Sequence, residues 1–492
     1  MRGSGSAGER AGVRGVAAVV AVWLLTSLLW LTPGLNRPDG VGYFVYLAST
    51  WFDGDLLFFD EWAQAGLIRD GQILFKDVTQ TGHLSNHWTA GASLAWFPAF
   101  VAADALVRLG GGETHDGFAA PYVAAIAFTS ALAGLFALLC GYRVARVYFG
   151  DGIAAASAIA IWFGSPLAWY SLRHASMSHA ISAAACSGVV LLSLRLRDVV
   201  VGSRLSVVRA LSPEVADNRQ LTTDNIVARV FALGLAIGFA CAVRPQNVAI
   251  ALVPLFIVEL RPLLRRAHAL FLGALIAALP QLIVSTVLWG GPLVFVNIGG
   301  RAHSWQMFAK FRPLETLFSW YHGLVPWTPL VAISIVGLVL LHRHDRGLAR
   351  AGLATFAAQL LLLSWLERWF WGGASFGQRR FDSCTIFFIL GIGAVLHRLP
   401  KWLGALLAIA AAAWTMLLFI AATRLNLNRF QTPAELLEAF QHSFGDSAWR
   451  SFLGFTPPGM RGTVIIAAIA TTLVVALLFV IGRKAGTIAA TV

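Results

Sequence analysis

Residues 36–62 read NRPDGVGYFVYLASTWFDGDLLFFDEW. Five carboxylates, Asp39, Asp53, Asp55, Asp60 and Glu61, fall within 23 positions of a chain that has only 24 Asp and Glu in all. A carboxylate held beside a hydroxyl can take its proton as that hydroxyl attacks an electrophile. Asp39 is the first candidate for such a base, because it follows so closely on the end of the first apolar stretch. Asp60 and Glu61 are the reserve candidates. The structural alternative is that Asp39 and Asp55 cap helices and that Asp60 and Glu61 are solvated; for Asp55 capping is preferred. Asp39 with Asp53 or Asp55 could also hold a divalent cation. No spacing demands one, and Asp53-Gly-Asp55 lacks the rest of a calcium-loop pattern.

Cationic and amide groups recur in four later segments. SPLAWYSLRHASMSHA brings Arg173, His174 and His179 into seven positions, a candidate anion site set against the plainer reading of hydrogen-bonded core histidines. ACAVRPQNVA places Arg244 and Gln246 between two apolar runs, where an arginine either snorkels or marks a site. NIGGRAHSWQMF offers Arg301 and His303 after a glycine pair that permits close backbone approach to an anion. ERWFWGGASFGQRRFDS carries Gln378, Arg379 and Arg380 beyond alternating glycines and aromatics, a setting for a phosphate bound by guanidinium forks. P-loop, HExxH, GxSxG and kinase signatures are absent. The four cysteines, Cys140, Cys186, Cys241 and Cys384, form no CxxC pair and lie in or beside apolar stretches, as small buried hydrophobes do.

The elements that must position these groups are membrane helices. Mean hydropathy is +0.71, and 58% of the residues are hydrophobic. A bilayer-spanning helix needs about 20 mostly apolar residues. About twelve stretches qualify: 15–33, 119–142, 153–169, 178–194, 228–243, 246–260, 268–289, 328–342, 350–366, 383–397, 403–422 and 462–482. The runs are continuous rather than alternating, which argues against a β-barrel. The expectation is an all-α polytopic membrane protein, a single domain over 1–492. Its first stretch, behind Arg2, Arg10 and Arg14, is read as a retained anchor, since no small-x-small cleavage site follows it.

Threading the chain with both termini in the cytoplasm places 21 of the 37 basic residues and eight of the 24 acids inside. The outer side keeps 16 of each, so the whole net charge of +13 lies inside, as the positive-inside rule favours. Basic loops facing anionic head groups account for the charge without a nucleic-acid partner. The segment 197–226 is then a polar cytoplasmic linker, and 34–118, 290–327, 367–382 and 423–461 are outer loops. In the first of these, Phe44, Leu47 and Trp51 are spaced as on one face of a juxtamembrane helix. HLSNHWTAGASLAWFPAFVAADALVRL is apolar but broken by Gly91 and Pro98; the charge count favours an interfacial position over a span.

In this layout the chain resembles the GT-C superfamily of integral-membrane glycosyltransferases, and within it bacterial members related to protein O-mannosyltransferases and lipid A aminoarabinose transferases. The resemblance rests on RPDGVGYFVYLASTWFDGD, DGFAAPYVAAIAFTSALAGLFALLCGYRVARVYFG, SPLAWYSLRHASMSHA, GFACAVRPQN and GGASFGQRRF. It covers roughly 15–260 in order, plus 371–381. It implies a GT-C-like bundle of about 12 transmembrane helices with juxtamembrane helices in the first outer loop. It also implies a polyprenyl-phosphate sugar donor and a first-loop acid as base, which by position is Asp39. Two departures stand out: the only adjacent Asp-Glu pair, Asp60-Glu61, comes some twenty residues after Asp39, and His179 stands where relatives often carry an Asp.

The residues suit that chemistry. A carboxylate receives the acceptor's proton, cationic groups hold the departing phosphate, and an apolar groove takes the isoprenoid tail. A phosphate ester leaves without protonation, so one carboxylate suffices and inversion at the sugar C1 is expected. The acceptor is a lipid, glycan or protein. High Ala, Gly and Arg suggest a GC-rich bacterial gene; with the charge threading, the expected location is the bacterial cytoplasmic membrane, with the site facing outward. The main alternatives are a transporter or lipid-sugar flippase, which internal repeats and broken helices would favour, and a polysaccharide polymerase.

Overall fold

A computed structural model describes residues 4–112, 117–209, 216–292, 311–366 and 375–422, with a few isolated residues beyond. The predicted span 462–482, Arg301, His303 and the glycines Gly372 and Gly373 lie outside the described residues. Among those described, the only sheet is a hairpin of β1 (Ile68–Arg69) and β2 (Gln72–Ile73), paired Ile68 with Ile73 and Arg69 with Gln72.

The helices run in chain order as α1 (Ser4–Trp30), α2 (Asp39–Ala48), α3 (Phe59–Gln64), α4 (Gly91–Leu109), α5 (Ala120–Phe149), α6 (Asp151–Gly164), α7 (His179–Arg209), α8 (Ala216–Val243), α9 (Val253–Ile257), α10 (Leu260–Leu264), α11 (Ala267–Trp289), α12 (Pro313–Phe318), α13 (Leu324–Trp327), α14 (Pro329–Leu341), α15 (Arg346–Leu366), α16 (Thr385–Arg398) and α17 (Lys401–Ala422). Every predicted span but the last falls on helical segments, because continuous apolar runs must satisfy their backbone internally in lipid. Seven helical stretches among the described residues are long and apolar enough to cross a membrane, and four shorter apolar ones accompany them. The chain is an all-α, multi-pass membrane protein.

Three features differ from the sequence reading. The predicted linker 197–226 is helical over most of its length, since α7 runs to Arg209 and α8 begins at Ala216. The interfacial segment forms α4, itself long and apolar enough to cross. Its first residue abuts the end of α8: a Cβ on Gly91 would meet the Val243 nitrogen at 2.3 Å. And α2 shows no single apolar face. Gly40 through Ala48 are all buried, whereas Trp51 is 38% exposed. Tyr43 and Tyr46 fill what a surface helix would leave to solvent, so α2 is inserted into the protein.

Packing divides into two apolar clusters, a large one through the membrane helices and a second around α2, α4, Trp62, Trp88 and Trp96. Without a solvent-driven force between helices in lipid, close approach of small residues does much of the joining. α14 and α16 meet backbone to backbone at Gly337 and Gly391, where added Cβ atoms would lie 1.9 Å from the Gly391 oxygen and 2.0 Å from the Ser334 oxygen. α1 is tied in by Trp23 Nε1, which donates to the Ala131 carbonyl at 2.9 Å, and by Thr26 Oγ1, which accepts from Trp162 Nε1 at 3.1 Å.

Candidate active site

Asp39 enters the site from the first turn of α2, immediately after Pro38. Proline sets a helix-compatible φ and lacks the N–H that would go unpaired there. An acid in the first turn also suits the positive end of the helix. Asp39 is not the N-cap, which is Pro38; its side chain turns instead to Arg379, with Oδ2 3.1 Å from Nη2. The α2 entry is docked by Ser176, whose Oγ accepts from the Asn36 nitrogen and donates to Asn36 Oδ1, both at 2.9 Å. Gly40 makes this possible, since a Cβ there would lie 2.3 Å from the same hydroxyl.

Arg379 begins a 3-10 turn, Arg379–Cys384, that follows Gly377 at φ +57° and leads into α16. Its guanidinium carbon lies 5.8 Å from the centre of the Tyr170 ring. The Asp39 side chain is 29% exposed and that of Arg379 11%. This is the partly open ion pair of the site. One α-turn along from Asp39, Tyr43 faces Arg244 and Ser178; burial raises its phenol above the ordinary value, with Arg244 pulling the other way.

A second, closed network sits behind the first. α8 stops at Val243 because Pro245 cannot continue it, and Arg244 is extended at φ −154°, ψ 123°. Asp382 Oδ2 lies 2.8 Å from His179 Nδ1 and 3.8 Å from Arg244 Nη1. With Nδ1–H donating to Asp382, Nε2 accepts from Arg244 Nη1 at 2.8 Å. Asn247 Nδ2 donates to Ser182 Oγ at 2.8 Å, and that hydroxyl donates to Asp382 Oδ1 at 3.2 Å. Gln246, with its amide oxygen toward Arg244, accepts from Nη2 and Nε at 2.5 and 2.6 Å. A small recess of about 20 Å³, room for roughly one water, is lined by Tyr170, His179, Gln378, Arg379 and Asp382.

The predicted residues therefore sort into groups. Asp39, His179, Arg244, Gln246, Gln378 and Arg379 converge. Arg380 is buried beside them, its carbonyl accepting from Gln359 Nε2 at 2.9 Å. Arg173 and His174 have their own partners beside this group. Arg173 Nη1 donates to Thr32 Oγ1 at 2.5 Å, holding the chain just beyond α1. Burial, then Arg379 and Arg173, lower His174 to about 3, so it is neutral against the Trp169 ring at 4.9 Å. Asp60 and Glu61 stand with Asp53, at the far end of the α2 run from Asp39. Asp55 does not cap α3; its Oδ1 accepts from Ser49 Oγ at 2.8 Å and from the Leu57 nitrogen at 3.0 Å, closing a turn. Asp53 and Asp55 are accordingly not joined to Asp39 in a cation site.

Two participants were missed. Asp382 is the acid nearest the start of a predicted span, where a carboxylate is costly and hence informative. Lys76 is the only lysine in 34–118. It is buried over Trp88 at 3.7 Å, with Nζ 3.0 Å from His87 Nδ1. Burial drives both its amine and the His87 ring well below their ordinary values, and Asp39 is close enough to oppose this for Lys76.

These elements define a multi-pass membrane protein with a polar, partly open site at the junction of α2, α7, α8 and α16. No protein-family model and no curated protein matches the chain. Solved structures do. The chain is similar to archaeal oligosaccharyltransferase AglB from Archaeoglobus fulgidus, solved with an inhibitory peptide and a dolichol-phosphate: 14% identity over 90% of this chain and 60% of that one, TM-score 0.51. It is also similar to ArnT from Cupriavidus metallidurans bound to undecaprenyl phosphate, with 18% identity over 96% of this chain and 72% of that one, TM-score 0.47. The chain thus spans about 60% of the oligosaccharyltransferase's length. At such identities the likeness is one of fold alone.

Proposed function

We propose that the protein is a glycosyltransferase that moves a sugar from a polyprenyl-phosphate donor to an acceptor hydroxyl at the outer face of the bacterial cytoplasmic membrane, both termini lying inside. The observation that carries this reading is the Asp39–Arg379 pair at 3.1 Å, partly open, where a first-loop helix meets the membrane bundle. A base and a phosphate-binding cation are the two groups the reaction needs side by side.

In this reading the donor phosphate takes Arg379, with Arg244 behind it, and frees Asp39. The acceptor oxygen attacks C1 from the face opposite the phosphate. The new C1–O bond forms as the C1–O bond to phosphate breaks, the acceptor's proton passes to Asp39, and polyprenyl phosphate leaves. Inversion follows from the single displacement. Gln378 and Arg380 support the phosphate end, and Arg301 and His303 remain candidates for it from their loop. The recess behind Arg379 is too small for a sugar, so the sugar occupies the open side of Asp39. The acceptor is a lipid, glycan or protein. The fold neighbour solved with a dolichol-phosphate supports a lipid-phosphate donor.

Reconstitution with a radiolabelled polyprenyl-phosphate sugar and a mixture of candidate acceptors tests the proposal. Label should pass to an acceptor with inverted anomeric configuration. Sugar-lipid crossing the bilayer without transfer would instead establish a flippase, and a retained configuration would sink the single displacement.

A further inference from the structure

At the far end of α2 from Asp39, the helix continues as a π-helical turn, Ser49–Asp53, and ends on Gly54 in the left-handed region at φ +75°. The chain then doubles back, and α3 opens with Asp60 and Glu61 in its first turn. One carboxylate oxygen from each of Asp53, Asp60 and Glu61 lies within 4.8 Å of the others. Asp53 and Asp60 are exposed, but Glu61 is 3% exposed. Neither carboxylate oxygen of Glu61 has an amide, hydroxyl or cationic donor; its polar neighbours are the Asp60 and Asp53 carboxylates. Among the described residues, no lysine, arginine or histidine forms an ion pair with any of the three.

A buried carboxylate with no donor is costly. Three carboxylates gathered without a counter-charge raise the cost further. A cation answers both deficits, since it supplies the charge and fills the empty lone pairs. Two oxygens on one calcium ion at 2.3–2.6 Å can be at most about 5 Å apart, and the observed spacing falls inside that limit. An all-oxygen donor set selects a hard ion over zinc or copper.

We propose that Asp53, Asp60 and Glu61 bind a hard divalent cation of the calcium class. The ion joins the end of the α2 run to the start of α3. From Asp39 to Asp53 this run spans 15 residues, about 20 Å at helical rise. The ion is therefore a clasp on the element that presents Asp39, not a participant at Asp39 itself. It adds a tie between the end of the α2 run and α3, beyond the packing of α2 against α4. The inference stands on these residues and is independent of the sugar-transfer reading.

The test uses the full-length protein in detergent, stripped with chelator and titrated with calcium chloride by calorimetry at pH 7 and moderate salt. One site per chain with a dissociation constant below ~1 mM is expected, with magnesium displacing calcium poorly. Glu61→Gln and Asp60→Asn should each weaken it at least about tenfold, as removal of a charged ligand does. Asp70→Asn, in an exposed turn of the same loop, should leave it unchanged. Melting in chelator checks that the Glu61→Gln variant is folded; should it not be, Asp53→Asn, at an exposed position, carries the same comparison. Absence of saturable calcium binding, or binding that survives both Asp53→Asn and Asp60→Asn, overturns the proposal.

Discussion

Replacing Asp39 by asparagine separates catalysis from structure at this site. Asparagine keeps an oxygen where Oδ2 accepts from Arg379 Nη2 at 3.1 Å, so the contact survives and only the charge and basicity go. The pair is partly open, with Asp39 29% exposed, and solvent screening limits the lost ion-pair energy to about 1 kcal/mol. A melting shift of a few degrees is the expected structural cost. The catalytic cost is larger. A positioned general base contributes typically about 10²–10⁴-fold, equivalent to about 3–5 kcal/mol of barrier. Turnover of a radiolabelled polyprenyl-phosphate sugar by reconstituted Asp39→Asn protein should fall by that factor. The Michaelis constant for the donor should change less than about tenfold, since Arg379 and Arg244 remain. Asp39→Glu, which keeps the carboxylate but displaces it, should retain part of the rate. The reasoning fails if Asp39→Asn turns over within about fivefold of wild type while melting normally. A base elsewhere in the molecule would then be required.

Asp382→Asn should behave oppositely. It removes the charge that faces His179 and Arg244 in a closed network, so a loss of about 3–5 kcal/mol in stability is expected, read as a large fall in melting temperature; wild-type melting would contradict this. Gly391→Val should block the α14–α16 contact, where even a Cβ would lie 2.0 Å from the Ser334 oxygen, at a cost of about 1–3 kcal/mol or more; unchanged yield and melting would show that the helices can part without penalty. Lys76→Met tests the buried amine in the first outer loop. Its folded value is lowered by burial, so the unfolded chain binds the proton more readily and wild-type stability rises with pH up to the ordinary lysine value near 10.4. The methionine variant should therefore melt higher at pH 7, with the gain shrinking toward pH 10; a variant destabilised equally at both would refute the account.

The spans were legible because length and continuous apolarity are local properties. The reading of α2 was not, because a face defined by Phe44, Leu47 and Trp51 says nothing about what surrounds the other sides. Whether Tyr43 and Tyr46 meet water or protein depends on Trp88 and on α4, tens of residues on. Arg379 was legible as a candidate cation from its glycine- and aromatic-rich surroundings. Its partner was not, since 340 positions separate it from Asp39. Arg173 and His174 looked like companions of His179 by spacing alone. The π-helical turn at Trp169–Arg173 sends one to Thr32 and buries the other against Trp169.

The distribution of charge over the two acids explains why they are suited to different work. Asp382 faces His179 and Arg244, accepts from Ser182, and has a side chain only 7% exposed. Its negative charge is already committed to holding the groups around it, and a ligand could reach it only by dismantling the network. Among the described residues Asp39 has one ion-pair partner, and it has four times the exposure. In the proposed transfer, a donor phosphate that drew Arg379 away would leave Asp39 with its charge uncompensated and its oxygen open, at the moment an acceptor hydroxyl needs a base. Asp382 gains nothing from the same event, because Arg244 and His179 stay with it. The two carboxylates are thereby set apart by what surrounds them: Asp382 faces Arg244 and His179, and Asp39 pairs with Arg379.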